Sequence, residues 1–206
     1  MKKKQTYAVV AGTALLTVWV IVARLHTPTP SEAAVTILSA MENRDAAAMW
    51  PYISAEQRTK YDLTISKLQA LLDRKASVGA LTPEGKVRVI ANPSYGSATS
   101  SRSYRLPNGE REEFQAEAII GPDHRPFAPD LVGNLILTDF AIAAQLKGPT
   151  RGPQMFLNGL AEERPGLEAL GFSGVIDVRT RQWISWTELA TQFETRRQRY
   201  LLAHKG

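Results

Sequence analysis

The chain contains no cysteine in its 206 residues. That excludes disulfides, a thiolate nucleophile, cysteine-ligated metals and attachment through a lipidated cysteine. Histidine is almost as scarce. His26, His124 and His204 are the three present, too scattered to build a histidine-rich metal site. No glycine-rich phosphate loop occurs, since GPTRGP at 148–153 lacks the lysine and the strand–helix setting such a loop needs. No serine stands in a Gly-x-Ser-x-Gly elbow. The residues therefore imply no metal and no cofactor.

A basic folded surface is lacking too, although the net charge is +5. Lys2, Lys3, Lys4 and Arg24 sit in the first 25 residues, and Arg196, Arg197, Arg199 and Lys205 sit at the other end. Setting those eight aside leaves residues 26–195 with 17 basic against 20 acidic side chains, a net charge of −3. Nucleic-acid binders are basic over their folded surface because phosphate contacts dominate their affinity. This pattern excludes that class.

What the chain does have is a run from Tyr7 to Ala23 without a single charge, preceded by three lysines. A helix rises about 1.5 Å per residue, and about 17–25 apolar residues cross a bilayer core. Seventeen residues, extended past Arg24 by Leu25, meet that length. The run has no polar face, unlike a buried helix at the edge of a soluble core. A cleaved signal is the alternative, but Ile21-Val22-Ala23 is a poor cleavage site and the run is long for a signal core. An uncleaved anchor over residues 1–25 is the expectation. The lysines keep the N-terminus in the cytoplasm, so residues 26–206 face outward, or are secreted if the signal is cut.

A Pro-rich spacer fills 26–30, and the rest reads as an α+β body. Thr29, Pro30 and Glu32 stand as a capping box ahead of Val35, Leu38 and Met41 at helical spacing. Asp45 caps a short turn that Pro51 limits, and Ser54 with Gln57 opens a long helix over 55–76, striped by Tyr61, Ile65, Leu68 and Leu72. Lys86–Ile90 alternates as a strand. Asn108-Gly109 signals a tight turn before Phe114, Ala116, Ala118 and Ile120, which alternate with polar partners as a hairpin with one wet face. Residues 121–130 read as a rigid loop, and Leu131–Leu146 fits a strand pair or a helix. Residues 152–170 read as helical with an interruption at Pro165 and a stop at Gly171. Residues 175–178 form a strand, and Ser185 with Glu188 caps a final helix.

This order, carried by AAVTILSAMENRDAAAMWPYIS at 33–54 and the hairpin around Asn108-Gly109, resembles the NTF2-like (cystatin-like) superfamily over about residues 31–147. The resemblance implies helices packed on a curved antiparallel sheet, often around a ligand pocket. Some members are enzymes, and others are noncatalytic domains behind a membrane anchor. Residues 148–206 depart from the usual length and form a C-terminal helix–strand–helix extension.

The candidate chemistry is sparse. Asp123-His124-Arg125 places a histidine beside an acid, but neighbours in a Pro-rich loop point apart. Asp139 and Asp177 each stand within an apolar run, where burial would raise a carboxyl pKa and suit a general base. An outward-facing position is the plainer alternative for both. Trp183 and Trp186, with Arg179 and Arg181, match the composition of a partner-binding surface and equally that of a core. These features point to a membrane-anchored, noncatalytic domain that binds a protein partner or small ligand. The alternatives are an enzyme using a buried Asp as base in an NTF2-like pocket, and a structural subunit of an envelope complex.

Overall fold

Thr29 opens the folded body as a reciprocal cap. In the computed structural model, which describes residues 27–77, 82–147, 152–177 and 180–203, its hydroxyl accepts from the Glu32 N–H at 3.3 Å. Its own N–H donates to the Glu32 carboxylate at 2.7 Å. Pro30 takes the first helical position, where a missing N–H costs nothing. Helix α1 then runs Pro30–Asn43 and ends at a left-handed Arg44. Asp45 caps the single turn α2 (Ala46–Met49) through the Ala48 N–H, and Ser54 caps α3 (Ala55–Lys60) through the Gln57 N–H.

The single helix expected over 55–76 is two. Tyr61 ends α3, Asp62 turns left-handed at φ 45°, and Thr64 restarts the chain as α4 (Ile65–Ser77) by accepting from the Lys67 N–H at 3.1 Å. Short polar side chains such as these offer the backbone local partners that compete with a continuous helix. Tyr61, Leu68 and Leu72 of the stripe are buried all the same, while Ile65 is 45% exposed.

Strands β1 (Thr82–Asn92), β2 (Ser97–Arg105), β3 (Arg111–Ile120) and β4 (Pro126–Phe127) form an antiparallel meander in that order. Gly109 takes the positive φ of 86° that its turn demands, setting Arg105 opposite Arg111. Helix α1 covers one face. The Ser100 hydroxyl donates to the Ala34 carbonyl at 2.7 Å, and Glu42 meets both Arg102 and Tyr104. Ala98, Phe114, Ala116 and Ala118 are buried, and Gln115 and Glu117 are exposed. The loop expected over 121–130 contains a tight turn and then β4.

Leu131–Lys147 is a helix, α5, with ten buried residues. Its less buried side, Asn134, Leu137, Thr138, Ala141 and Gln145, includes two apolar residues while its buried side includes Asp139, and that blurs the 3.6-residue period that would distinguish it from strands. Helix α6 (Pro153–Ala169) continues through Pro165, where an interruption was expected. Pro165 and Ala161 both lie on the exposed side, so water can satisfy the carbonyl that Pro165 leaves free. Gly171 at φ 79° ends the run. Strands β5 (Gly174–Ile176) and β6 (Trp183–Ser185) pair antiparallel, and Ser185 exchanges cap hydrogen bonds with Glu188 to open α7 (Trp186–Ala203). The buried cluster is continuous from Ala33 to Phe193, with side chains from both sides of residue 148. Among the described residues no helix is long and apolar enough to cross a membrane. The stretch 7–25 lies outside them.

Candidate functional site

The structure does not gather the candidates expected from sequence into one site. Asp139 is 2% exposed on α5, on the core side of that helix, and it lines none of the openings described below. Asp177 closes the β5–β6 loop. Its N–H donates to the Gln182 carbonyl at 2.8 Å, its carbonyl accepts from the Arg181 N–H at 2.7 Å, and its carboxylate accepts from the Thr180 N–H at 3.4 Å. His124 is exposed at φ 59° in a turn where Gly121 and Arg125 bond across, and the Asp123 carboxylate accepts from the Arg125 N–H at 3.1 Å. Histidine and acid therefore serve a turn and do not converge.

Trp186 is a core residue. It is 2% exposed, its indole N–H donates to the Phe172 carbonyl at 3.0 Å, and it meets Phe140 edge-on. Trp183 is half-buried edge-to-face against Tyr61, with ring centres 5.2 Å apart. Arg181 is left-handed at φ 58° and donates to the Pro129 carbonyl at 3.1 Å and to Glu56 at 3.1 Å. Arg179 lies outside the described residues.

Arg181 belongs to a polar seam that the sequence did not disclose. Asp130, just ahead of α5, is 2% exposed and accepts from the Gly133 N–H at 3.2 Å. Gln57 is fully buried and ties the same helix start to α3, donating to the Ala128 carbonyl at 2.7 Å and accepting from the Val132 N–H at 3.3 Å. Tyr61 accepts from the Ile176 N–H at 3.0 Å and faces Asp130. Burial and the neighbouring Asp130 charge push the Tyr61 hydroxyl far up. Glu56 is held below its ordinary value, first by Lys60 and then by Arg181. Asp130 was missed because it ends a Pro-rich loop that reads as surface. The one available signal is its place three residues ahead of a glycine at the head of an apolar run.

Burial raises the Asp130 carboxyl from 3.8 to about 6, against the lowering effects of the Gly133 N–H, the Arg181 charge and the Tyr61 hydroxyl. Between those two values the unfolded carboxyl has lost its proton while the folded one keeps it, so stability falls as pH rises. The loss amounts to about 2–3 kcal/mol between pH 3.5 and 7. Asp130→Asn is expected to remove most of that slope and to be the more stable protein at pH 8. Urea unfolding of parent and variant at pH 4 and pH 8 measures it, and equal slopes would refute the buried-acid assignment.

Asp177 also lines an opening of about 230 Å³ with Ile176, Ile184, Phe193 and Arg196. Two further surface features bear on binding. The first is a cleft of about 390 Å³ between residues 51–58 and 121–127, with Pro51, Ile53, Pro126 and Phe127 among its walls and Arg58 and Arg125 at its charged positions. Backbone contacts hold its two sides together, Ala128 N–H donating to the Tyr52 carbonyl at 2.9 Å. Arg58 lies 4.3 Å over the Trp50 ring and donates to the Trp50 carbonyl at 2.7 Å. Asp123 is the one acid in the lining, which has no histidine, and the Ser54 hydroxyl is engaged as a helix cap. This arrangement can bind but has no base beside a nucleophile.

The second is β1. Among the described residues no strand pairs with its outer edge. Val89 stands opposite Ser100 on the α1 side, and Ile90 stands opposite Thr99 on the open side, yet they are 45% and 70% exposed. The strand therefore extends past the cover of α1. Pro83, a bulge between Glu84 and Arg88, and Lys86 guard its first half. Val89–Ala91 has no such guard. Among the described residues no group of three or more His, Asp or Glu could hold a metal. Comparison with protein-family models, curated proteins and solved structures gives no match.

Proposed function

We propose that this chain is a noncatalytic binding domain, held at the outer face of a membrane by residues 7–25, that takes a protein partner along the edge of β1. The observation that carries this reading is the outer edge of an eleven-residue strand with Val89 and Ile90 in solvent. Such edges are templates for strand addition, in which backbone hydrogen bonds supply affinity and alternate side chains supply specificity. Arg88, next to the bare segment, favours a partner strand with an acidic residue at its end. The engagement of Asp177 and of the Asp123-His124 turn in local structure favours binding over catalysis. Helices α1–α4 ahead of an antiparallel meander support an NTF2-like reading of residues 31–147. The membrane attachment rests on the uncharged length of residues 7–23 and the lysines before it.

The test uses the full chain in the membranes of its source cell. A photo-crosslinking residue at position 90 is expected to give one discrete adduct, and the same residue at Gln115 none. Ile90→Lys removes a burial worth about 2 kcal/mol, so the partner is held roughly thirtyfold less tightly. Because the site is exposed, the unfolding midpoint changes little, by about 0.5 kcal/mol or less. An alkaline wash should leave the chain in the membrane pellet. Adducts of equal intensity at 90 and 115 would sink the edge assignment, and release by alkali would sink the anchor.

A further inference from the structure

We infer that the cleft between residues 51–58 and 121–127 binds a small organic carboxylate with an apolar body. Its volume of about 390 Å³ falls in the range of small-molecule sites. The walls are mixed in a way that specifies the ligand. Pro51, Ile53, Pro126 and Phe127 offer an apolar surface, and Arg58 and Arg125 outnumber Asp123 among the charges. Asp123 is further committed to its own turn through the Arg125 N–H.

Arg58 is the residue that makes this a recognition site. Its guanidinium is clamped twice by Trp50, once over the ring and once through the carbonyl. A guanidinium already held in place loses little rotamer entropy when it binds, and its planar fork matches a carboxylate. Its Nη2 is spent on the Trp50 carbonyl and its Nε is buried, so an incoming carboxylate would meet the remaining outer end of a guanidinium whose charge and position are already fixed. Arg125 is exposed on the other side of the cleft and supplies the second positive charge. The proline and phenylalanine walls argue against a bare inorganic anion, which would gain nothing from them. This site is separate from the β1 edge and stands or falls apart from it.

The probe is 4-fluorophenylacetate, followed by the fluorine line width as the full chain in mild detergent is added. Saturable broadening is expected, reversed by excess phenylacetate and left in place by the same concentration of uncharged 2-phenylethanol. Reversal by competitor separates the cleft from simple uptake into micelles. Arg125→Gln, at an exposed position, is expected to weaken binding about fivefold, and Arg58→Gln about tenfold or more. Broadening that does not saturate, equal displacement by the alcohol, or affinity unchanged in Arg125→Gln would each overturn the assignment. Loss in Arg58→Gln alone would not sustain it.

Discussion

Trp186→Ala is expected to cost the fold about 3–5 kcal/mol, the range for truncating a large buried aromatic. The side chain is 2% exposed at the first position of α7, between the β5–β6 hairpin and α5. Its ring meets Phe140 with centres 6.1 Å apart. Its N–H is the partner of the Phe172 carbonyl, which sits where the chain leaves α6 for β5. Truncation opens a cavity and strands that carbonyl at once. Trp186→Phe separates the two effects. It keeps most of the apolar surface, so its cost should fall to the 1–3 kcal/mol of one buried polar group left unpaired. Chemical unfolding of the full chain in mild detergent measures both. A binding-surface Trp186 would instead leave the midpoint in place and change only the crosslinked adduct.

The same tryptophan shows how far the sequence could be read. Its neighbours Ser185 and Glu188 are a local signal, and they form the cap they spell. Thr29 with Glu32, Asp45, Ser54 and Asn108-Gly109 are equally local and equally visible, because each is settled within four residues. Tyr61 and Asp62 show the first limit. The apolar stripe through them keeps its period while the helix breaks, since the left-handed Asp62 and the Thr64 cap are small local effects beneath a strong hydrophobic pattern. Asp130 shows the second. Its environment is assembled from α3, the head of α5 and Arg181, more than fifty residues away in sequence. Nothing at position 130 itself announces burial. The cleft is illegible for the same reason, as its walls come from two segments some seventy residues apart. The bare edge of β1 was half visible, in an alternating strand whose apolar residues had no assigned cover.

Gly159→Ala is expected to destabilise the protein by about 3 kcal/mol, although the same change on an exposed helix would stabilise it. Alanine is the better helix former by about 1 kcal/mol, so the packing penalty must exceed that gain before the sign turns. The geometry says that it does. A methyl carbon at position 159 would lie 2.0 Å from the Phe140 carbonyl oxygen and 2.5 Å from the Phe140 Cα. Those atoms are backbone in the middle of α5 and cannot rotate away, so α5 and α6 must separate along their shared face. That displaces Phe140, Leu160 and Leu167, all buried there, and overpacking against fixed atoms lies at the upper end of its usual cost. Gly166, on the same helix, supplies the contrast. The nearest atoms a methyl there would meet belong to the guanidinium of Arg74, the far end of a flexible side chain. Moving Arg74 sacrifices its ion pair with Glu163, a loss that the helix-propensity gain roughly offsets. Urea unfolding of the two alanine variants should therefore diverge by several kcal/mol. Equal midpoints would mean that α5 and α6 do not cross backbone to backbone at Gly159.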